Sequence, residues 1–386
     1  MNNFTFCVPT DIRFGKGQIA CLPAELSKYG KNVLMVYGGG SIKRSGLYDT
    51  ILGLLQGFSV YELGGIEPNP KIASVRKGVD ICKAHNVNMV LAVGGGSCID
   101  TAKNIACGAF YDGDPWDLVM DHDKVGKILP VAVVLTIAAT GSEMDNAAVI
   151  SNPETKEKRE LSSSHLYPTI SICDPTYTFT LPARQTAAGT VDIMSHVFEQ
   201  YFQANDGAYL TDCLSEGVLK TCIKYGPIAI NQPDNYEARS NLMWASSLGL
   251  NHLLTVGKGG SWSCHPMEHE LSAYYDITHG VGLAILTPAW MTYVLNDKTV
   301  ERFARYAHNV WHIDNIDQVK AAKKGIEKTA EFFLSLGMPQ KLSEVGIGSE
   351  NFVAMATDAV LVSGIATRSY CRLNEEDIIN IYKSCL

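Results

Sequence analysis

Histidines and an aspartate in the second half of the chain have the residue types and spacing of a metal site. Asp192 and His196 are four residues apart, which places both side chains on one face of a helix. His265 and His269 repeat that spacing, and His279 follows shortly after them. A carboxylate with several imidazoles suits a borderline divalent cation such as Zn²⁺ or Fe²⁺.

The spacing alone is also compatible with a purely structural role for these residues. An Asp/His pair four residues apart is common by chance, and a helical histidine is often a surface residue or a hydrogen-bonded core residue. Two such pairs and a third histidine favour a metal site, but spacing does not select the ligands among the clustered histidines.

Glycine-rich turns follow apolar runs in the first half of the chain. Gly94-Gly-Gly-Ser97 ends an apolar run and opens a helical segment, where backbone N–H groups and the helix N-terminus can hold phosphate. Thr140-Gly-Ser142 follows another such run. Neither turn has the Gly-x-Gly-x-x-Gly or Walker pattern, so a turn without a ligand remains an equal interpretation. Together they suit a dinucleotide crevice at the ends of strands.

A third turn, Gly38-Gly-Gly-Ser41, is followed by Lys43 and Arg44. A small, uncharged turn beside two cations could accept the 2′-phosphate of NADP. An acidic residue commonly binds the ribose diol of NAD instead, and Glu62 keeps that option open.

The elements that must position these residues change in character near Pro182. Apolar runs alternate with helical segments before it, which predicts a parallel sheet covered on both faces. We predict strands at 33–37, 58–63, 89–93, 131–136 and 170–173, and helices at 71–85 and 98–110. The charged segment 154–160 is interpreted as a solvated loop, apart from Lys158.

Helical patterns dominate after Pro182. We predict helices at 185–202, 210–225, 236–252, 261–275 and 299–310. The sequence therefore predicts an α/β dinucleotide-binding domain over residues 1–182 and an all-helical metal-binding and substrate domain over 183–386.

Composition excludes several classes of protein. The 386 residues carry a net charge of −8 without an evident basic region, which argues against a nucleic-acid partner. The 11 cysteines form no Cys-x-x-Cys pair, which favours a reducing cytoplasm over a disulfide framework. We expect no signal peptide, and no run of about 18 apolar residues predicts a membrane span.

Several motifs along the chain resemble those of a known protein family. They are Phe14-Gly-Lys-Gly17, Gly64-Gly-Ile-Glu-Pro-Asn-Pro70, Gly94-Gly-Gly-Ser97 with Asp100 and Lys103, Ala139-Thr-Gly-Ser-Glu143, Asp192 with His196, and the segment from His265 to His279. In these the chain resembles, essentially from end to end, the iron-containing (group III) alcohol dehydrogenases. Within that family it is most similar to the NADPH-dependent butanol dehydrogenases and broad-range aldehyde reductases.

The resemblance implies a fold similar to that of dehydroquinate synthase and glycerol dehydrogenase, with the site between a dinucleotide domain and a helical domain. It implies that Asp192, His196, His265 and His279 are the metal ligands. His269 matches a family histidine close to the nicotinamide and the substrate. We treat it as the candidate catalytic residue for proton relay, with a structural role as the alternative.

The resemblance also implies cofactor contacts. The pyrophosphate-binding turn falls on Gly95, Gly96 and Ser97. NAD-preferring members carry an acidic residue near the positions of Gly38 and Gly39, so the glycines here, with Ser41, favour NADP(H), while NAD stays possible. The remaining matched positions are Asn69, Asp100, Thr136, Thr140 and Lys158.

The expected activity is hydride transfer between NADP(H) and short- to medium-chain primary alcohols or aldehydes, such as butanol and butyraldehyde, with Fe²⁺ or Zn²⁺ bound. We expect a cytoplasmic homo-oligomer, most simply a dimer. An NAD-dependent glycerol or diol dehydrogenase is the alternative. A dehydroquinate synthase-like lyase would need several more basic residues, and the helical half offers only Lys258 near the ligand segment.

Overall fold

The computed structural model of the chain describes residues 1–203 and 207–386, which form two compact units. The α/β unit consists of Cys7–Leu181 and Pro233–Asn251. The helical unit consists of Met1–Phe6, Pro182–Gln232 and His252–Leu386. The division of the chain after residue 182 stays a prediction of domain organisation.

The α/β unit contains all the strands found among the described residues. They are β1 (Asp11–Phe14), β2 (Asn32–Gly38), β3 (Ser59–Ile66), β4 (Met89–Gly94), β5 (Val131–Leu135), β6 (Ala147–Asn152), β7 (Glu157–Ser162) and β8 (Ile170–Cys173). Its helices are α1 (Leu22–Ser27), α2 (Ser41–Arg44), α3 (Leu47–Leu54), α4 (Ile72–His85), α5 (Gly96–Gly108), α6 (Pro115–Met120) and α9 (Tyr236–Leu250).

Six strands form one parallel sheet in the order β1-β8-β5-β4-β2-β3. Every residue of β4 and β5 is buried, because apolar side chains pack on both faces of the sheet. Continuous apolar runs are therefore the expected signature of these strands, and all five predicted strands are present.

The order of the strands reverses direction at the middle of this sheet. From β2 the chain moves outward to β3, and it then returns to place β4 on the other side of β2 and β5 beyond it. The point between β2 and β4 is thus a topological switch, where open α/β sheets bind ligands at the carboxyl ends of their strands. The turns that begin at Gly38 and Gly94 lie at these two strand ends.

The interpretation of residues 154–160 as a solvated loop was wrong. Residues Glu157–Ser162 form β7, which pairs antiparallel with β6. Lys158 and Leu161 are buried, while Arg159 and Glu160 between them are not. The sequence of this strand lacks the usual alternation of apolar and polar residues, because one of its buried positions is a lysine.

The helical unit confirms the predicted change to helical structure. Its helices are α7 (Ala183–Tyr201), α8 (Tyr209–Asn231), α10 (Cys264–Tyr275), α11 (His279–Val294), α12 (Val300–Trp311), α13 (Gln318–Ser335), α14 (Phe352–Val362) and α15 (Glu375–Ser384). Among the described residues, no helix combines the length and the apolar character that crossing a membrane requires.

Helix α7 is the central helix of this unit. Every residue from Thr186 to Tyr201 is buried, and α8 and α11 pack against it. A helix that is buried all round can hold charged side chains only where other groups compensate them. Asp192 and His196 lie on this helix, so their polar atoms must be satisfied inside the unit.

Candidate functional site

Three helices of the helical unit supply the predicted metal ligands. Asp192 and His196 are one turn apart on α7, and both are buried. His265 lies in the first turn of α10, and His279 is the first residue of α11. Two histidines at the beginnings of helices therefore meet an Asp/His pair in the middle of another helix.

The four side chains form one cluster. Each offers one nitrogen or carboxylate oxygen, and these four atoms all lie within 4.8 Å of one another. Asp192 Oδ1 is 3.6 Å from His196 Nδ1 and 3.7 Å from His279 Nε2. The imidazole rings of His196 and His265 stack with their centroids 4.5 Å apart.

This cluster fits a divalent metal ion. Ligand atoms at about 2.1 Å from a tetrahedral ion are about 3.4 Å apart, close to the separations found here. Burial lowers the pKa of His196 well below its usual value, with His265 acting in the same direction. The imidazole of His196 is therefore neutral, as a metal ligand must be.

A glycine allows α11 to approach α7 closely. A Cβ atom on Gly280 would lie only 2.2 Å from the carbonyl oxygen of Ala188. Ala188 lies one turn before Asp192 on α7, so this contact brings the first turn of α11 against the ligand-bearing helix. The close approach places His279 beside Asp192.

His269 lies next to the four-residue cluster and outside it. Its ring centroid is 6.4 Å from that of His265 and 5.7 Å from that of His279. It forms a second group with Glu268 and His279, in which the donor atoms also lie within 4.8 Å of one another.

Two buried glutamates behind the ligand histidines were not predicted as site residues. Glu199 contacts His265, and Glu268 contacts His279. Burial raises the pKa of Glu199 to about 7, against the effect of backbone N–H donors from residues 263–265. A sequence signal for Glu199 exists, since it lies seven residues after Asp192 and therefore on the same helical face.

The predicted pyrophosphate turn lies in the α/β unit between β4 and α5. A Cβ atom on Gly95 would lie 2.0 Å from Ile137 Cγ2, and one on Gly96 would lie 2.5 Å from Thr140 Cγ2. Ser97 follows in the first turn of α5. The backbone of this turn is therefore packed closely against the segment after β5, which contains Thr136 and Thr140.

The other predicted cofactor residues of this unit already have partners within the protein. Asp100 accepts hydrogen bonds from Ser142 Oγ (2.7 Å) and Val149 N (3.0 Å), and burial raises its pKa to about 6. Lys158 Nζ donates to Asn69 Oδ1 at 3.1 Å. Asp100 therefore joins α5 to the segment after β5 and to β6.

The turn after β2 has no carboxylate of its own. Glu62, the acidic candidate on β3, accepts hydrogen bonds from Tyr37 Oη (2.7 Å) and Tyr48 Oη (2.8 Å). Lys43 Nζ lies over the rings of both tyrosines, 4.5 Å from the centroid of Tyr48. Both oxygens of Glu62 are thus occupied by phenol groups beside a cation.

Lys258 is the basic residue near the ligand segment that a lyase could use to bind its substrate. In the structure it makes contacts inside the helical unit. Its buried ammonium binds Asp212 Oδ1 at 2.7 Å and the Gln200 carbonyl oxygen at 2.9 Å. Burial lowers its pKa to about 8. Its ammonium is therefore committed to contacts within the protein.

Comparison with known families covers both halves of the chain. Residues 9–175 match the sequence model of iron-containing alcohol dehydrogenase, and residues 186–386 match the C-terminal model of the Fe-containing alcohol dehydrogenase family. The chain belongs to the iron-containing alcohol dehydrogenase family. The match to the C-terminal model contains all four residues of the cluster.

Individual relatives agree with this assignment along the whole chain. NADH-dependent butanol dehydrogenase A of Clostridium acetobutylicum is 56% identical, covering 99% of both chains. The NADPH-dependent aldehyde reductase YqhD of Escherichia coli is 39% identical over 92% of both chains. The solved structure of NADH-dependent butanol dehydrogenase A from Thermotoga maritima superposes with a TM-score of 0.95 at 40% identity, covering 100% of this chain and 99% of that one.

The close approach at Gly280 makes a testable prediction for this alcohol dehydrogenase. Gly280→Ala adds a Cβ against backbone, so we expect a loss of about 1–3 kcal/mol in the free energy of unfolding. Gly217→Ala, in the exposed face of α8 with nothing within 4 Å of the new Cβ, is the control. The control should gain about 0.5–1 kcal/mol. Urea unfolding of both variants measures the difference, and equal effects would contradict the packing described here.

Proposed function

We propose that this protein is a metal-dependent alcohol dehydrogenase and aldehyde reductase that transfers hydride between NADP(H) and short- to medium-chain primary alcohols or aldehydes. The observation that carries the proposal is the cluster of one carboxylate and three imidazoles in a chain of the iron-containing family. The names of the relatives above, butanol dehydrogenase and aldehyde reductase, support the substrate class.

In this proposal Asp192, His196, His265 and His279 hold Fe²⁺ or Zn²⁺. When bound, such a metal polarises the oxygen of the alcohol or aldehyde while the nicotinamide accepts or gives the hydride. The protein contributes three imidazoles and a single ligand carboxylate, so a divalent metal and its four ligands would together retain positive charge. His279 is the most exposed of the ligand side chains, at 22%.

We assign His269 to proton transfer or to shaping of the substrate pocket. It is half-buried and adjacent to the cluster without belonging to it. An imidazole near neutrality can accept the proton that leaves an alcohol, and general acid–base groups contribute about 10²- to 10⁴-fold to a rate.

The NADP(H) preference rests on charge at the end of β2. The turn 38–40 contains only glycine, Lys43 and Arg44 follow it, and the carboxylate of Glu62 is engaged by two tyrosines. A 2′-phosphate would meet Lys43 and Arg44 there, with no carboxylate in the turn itself. The relatives' names divide between NADH and NADPH, so a direct comparison of the cofactors is required.

Removal of the metal should abolish activity. We expect reduction of butyraldehyde to fall by at least about a hundredfold after complete chelation, because loss of several kcal/mol of transition-state stabilisation corresponds to that factor. Added Fe²⁺ or Zn²⁺ should restore the rate in wild type but not in Asp192→Ala. His308→Ala, a change at an exposed histidine, is the control. Full activity in protein shown to be metal-free would contradict the proposal.

The cofactor preference can be tested at Gly39, where a side chain has open space. The wild-type enzyme should show a kcat/KM about tenfold or more higher with NADPH than with NADH, as expected for one charge-assisted contact. Gly39→Asp should reverse this preference by repelling the 2′-phosphate, whereas Gly39→Ala should keep it. A wild-type preference for NADH would overturn the NADP(H) assignment. A substrate profile would then distinguish an NADH-dependent butanol dehydrogenase from the NAD-dependent glycerol or diol alternative.

The role of His269 is tested in the same assay. His269→Ala should retain the metal and lower kcat by about a hundredfold or more if the imidazole transfers the proton. Full activity across the pH range would eliminate the relay role. A changed substrate range with little loss of kcat would instead indicate that His269 shapes the pocket.

A further inference from the structure

Two buried carboxylates lie behind the ligand histidines of the helical unit. Glu199 is on α7 and faces His265 of α10, and Glu268 is on α10 and faces His279 of α11. Each carboxylate therefore lies on a helix earlier in the chain than the one that carries the histidine it contacts. The side chain of Glu199 is 4% exposed and that of Glu268 is 0% exposed.

Glu199 binds both the backbone and the side chain of the segment that carries His265. Its Oε1 accepts hydrogen bonds from His265 N (2.8 Å) and His265 Nδ1 (3.1 Å), and its Oε2 accepts one from Ser263 N (2.8 Å). These bonds satisfy N–H groups at the start of α10, which have no partner within the helix. They also orient the imidazole, because Nδ1 is held on the side of α7.

Glu268 has both oxygens occupied as well. Its Oε2 accepts a hydrogen bond from His279 Nδ1, and its Oε1 accepts one from Ser272 Oγ at 2.5 Å. The opposite nitrogen, His279 Nε2, lies 3.7 Å from Asp192 Oδ1. The two sides of this imidazole therefore face a buried carboxylate and the ligand cluster, respectively.

The backbone of α11 fixes the position of Glu268. A Cβ atom on Gly282 would lie 2.8 Å from Glu268 Cγ and 3.0 Å from Glu268 Oε1. Glycine at this position leaves just enough room for the carboxylate beside the helix that carries its histidine partner.

We propose that Glu199 and Glu268 are positioning residues for the metal, an inference that rests on the proposed function. Each carboxylate accepts the proton on Nδ1, so the lone pair of the imidazole is on Nε2, directed to the cluster. A carboxylate behind a ligand imidazole also raises its basicity and selects its orientation. Glu199 of α7 thus orients the ligand histidine of α10, and Glu268 of α10 orients the ligand histidine of α11.

The proposal predicts a loss of metal affinity without loss of a ligand. Glu199→Gln and Glu268→Gln keep the shape of the side chain and remove its charge. Each should weaken Zn²⁺ binding by about 10- to 100-fold. The measurement is a competition titration of metal-free protein against a chelator of known affinity, with Asp192→Ala as the variant lacking a ligand.

Glu216→Gln provides the matched control in the same unit. Glu216 is also buried, and its Oε1 accepts hydrogen bonds from Tyr201 Oη (2.9 Å) and Asn309 Nδ2 (2.8 Å). No described hydrogen bond joins it to a histidine, so loss of its charge should leave Zn²⁺ affinity unchanged. This control separates the loss of any buried carboxylate from the loss of one that holds a ligand.

The outcomes distinguish this inference from the proposed function. If Asp192→Ala loses Zn²⁺ while both glutamine variants bind as wild type, the positioning role is overturned and the metal site stands. If Asp192→Ala binds Zn²⁺ as wild type, the metal site itself is wrong. The visible absorption of Co²⁺-loaded protein gives a second readout, since a shifted imidazole changes the bands and a merely structural role would not.

Gly282→Ala keeps the test of Glu268 decisive if Glu268→Gln does not fold, as judged by circular dichroism. This change leaves Glu268 chemically intact and displaces it by steric contact, so we expect weaker Zn²⁺ binding and altered Co²⁺ bands. Unchanged Zn²⁺ binding and unchanged Co²⁺ bands in folded Gly282→Ala protein would overturn the role of Glu268.

Discussion

The ring N–H of each ligand histidine must point away from the cluster, so that its lone pair points into it. This requirement governs the structure of the helical unit around the site. A neutral imidazole offers one lone pair, and a ligand cluster is useful only if each lone pair points inward. For His265 and His279 this is achieved by Glu199 of α7, which binds the start of α10, and by Glu268 of α10, which contacts the first residue of α11; both carboxylates are almost fully removed from water. Burying carboxylates is costly unless their oxygens are hydrogen-bonded, and in both residues they are. The close approach at Gly280 then brings the last ligand to α7.

The α/β unit meets a different requirement, which is to present backbone at the carboxyl ends of β2 and β4. The strand order reverses between β2 and β4, so the two glycine turns lie on either side of the switch point. Asp100 joins α5 to Ser142 and to β6, and the buried Lys103 joins α5 to Asp145 Oδ1 at 2.5 Å and to the carbonyl oxygen of Ala147, the first residue of β6, at 2.7 Å. Asp100, which the family resemblance places among the cofactor contacts, thus has a structural role in the α/β unit.

Much of this organisation could be predicted from the sequence because its signals are local. Apolar runs predicted five of the six strands of the sheet, and the four-residue spacing of Asp192 and His196 predicted one helical face. The β6–β7 hairpin was missed because Lys158 places a charge at a buried position. The partners of Glu62 and the carboxylates behind His265 and His279 were missed for another reason: each depends on tertiary contacts between separate elements. The inclusion of Pro233–Asn251 in the α/β unit is likewise a tertiary property.

The most direct test of the metal site is a crystal structure of Zn²⁺- or Fe²⁺-loaded protein with diffraction recorded on both sides of the absorption edge of the metal. The account predicts one anomalous peak, about 2.0–2.2 Å from a donor atom of each of Asp192, His196, His265 and His279. The same structure should show Glu199 and Glu268 bound to the Nδ1 atoms of their histidines. A peak coordinated instead by Glu268, His269 and His279, or the absence of any peak within the four-residue cluster, would contradict it.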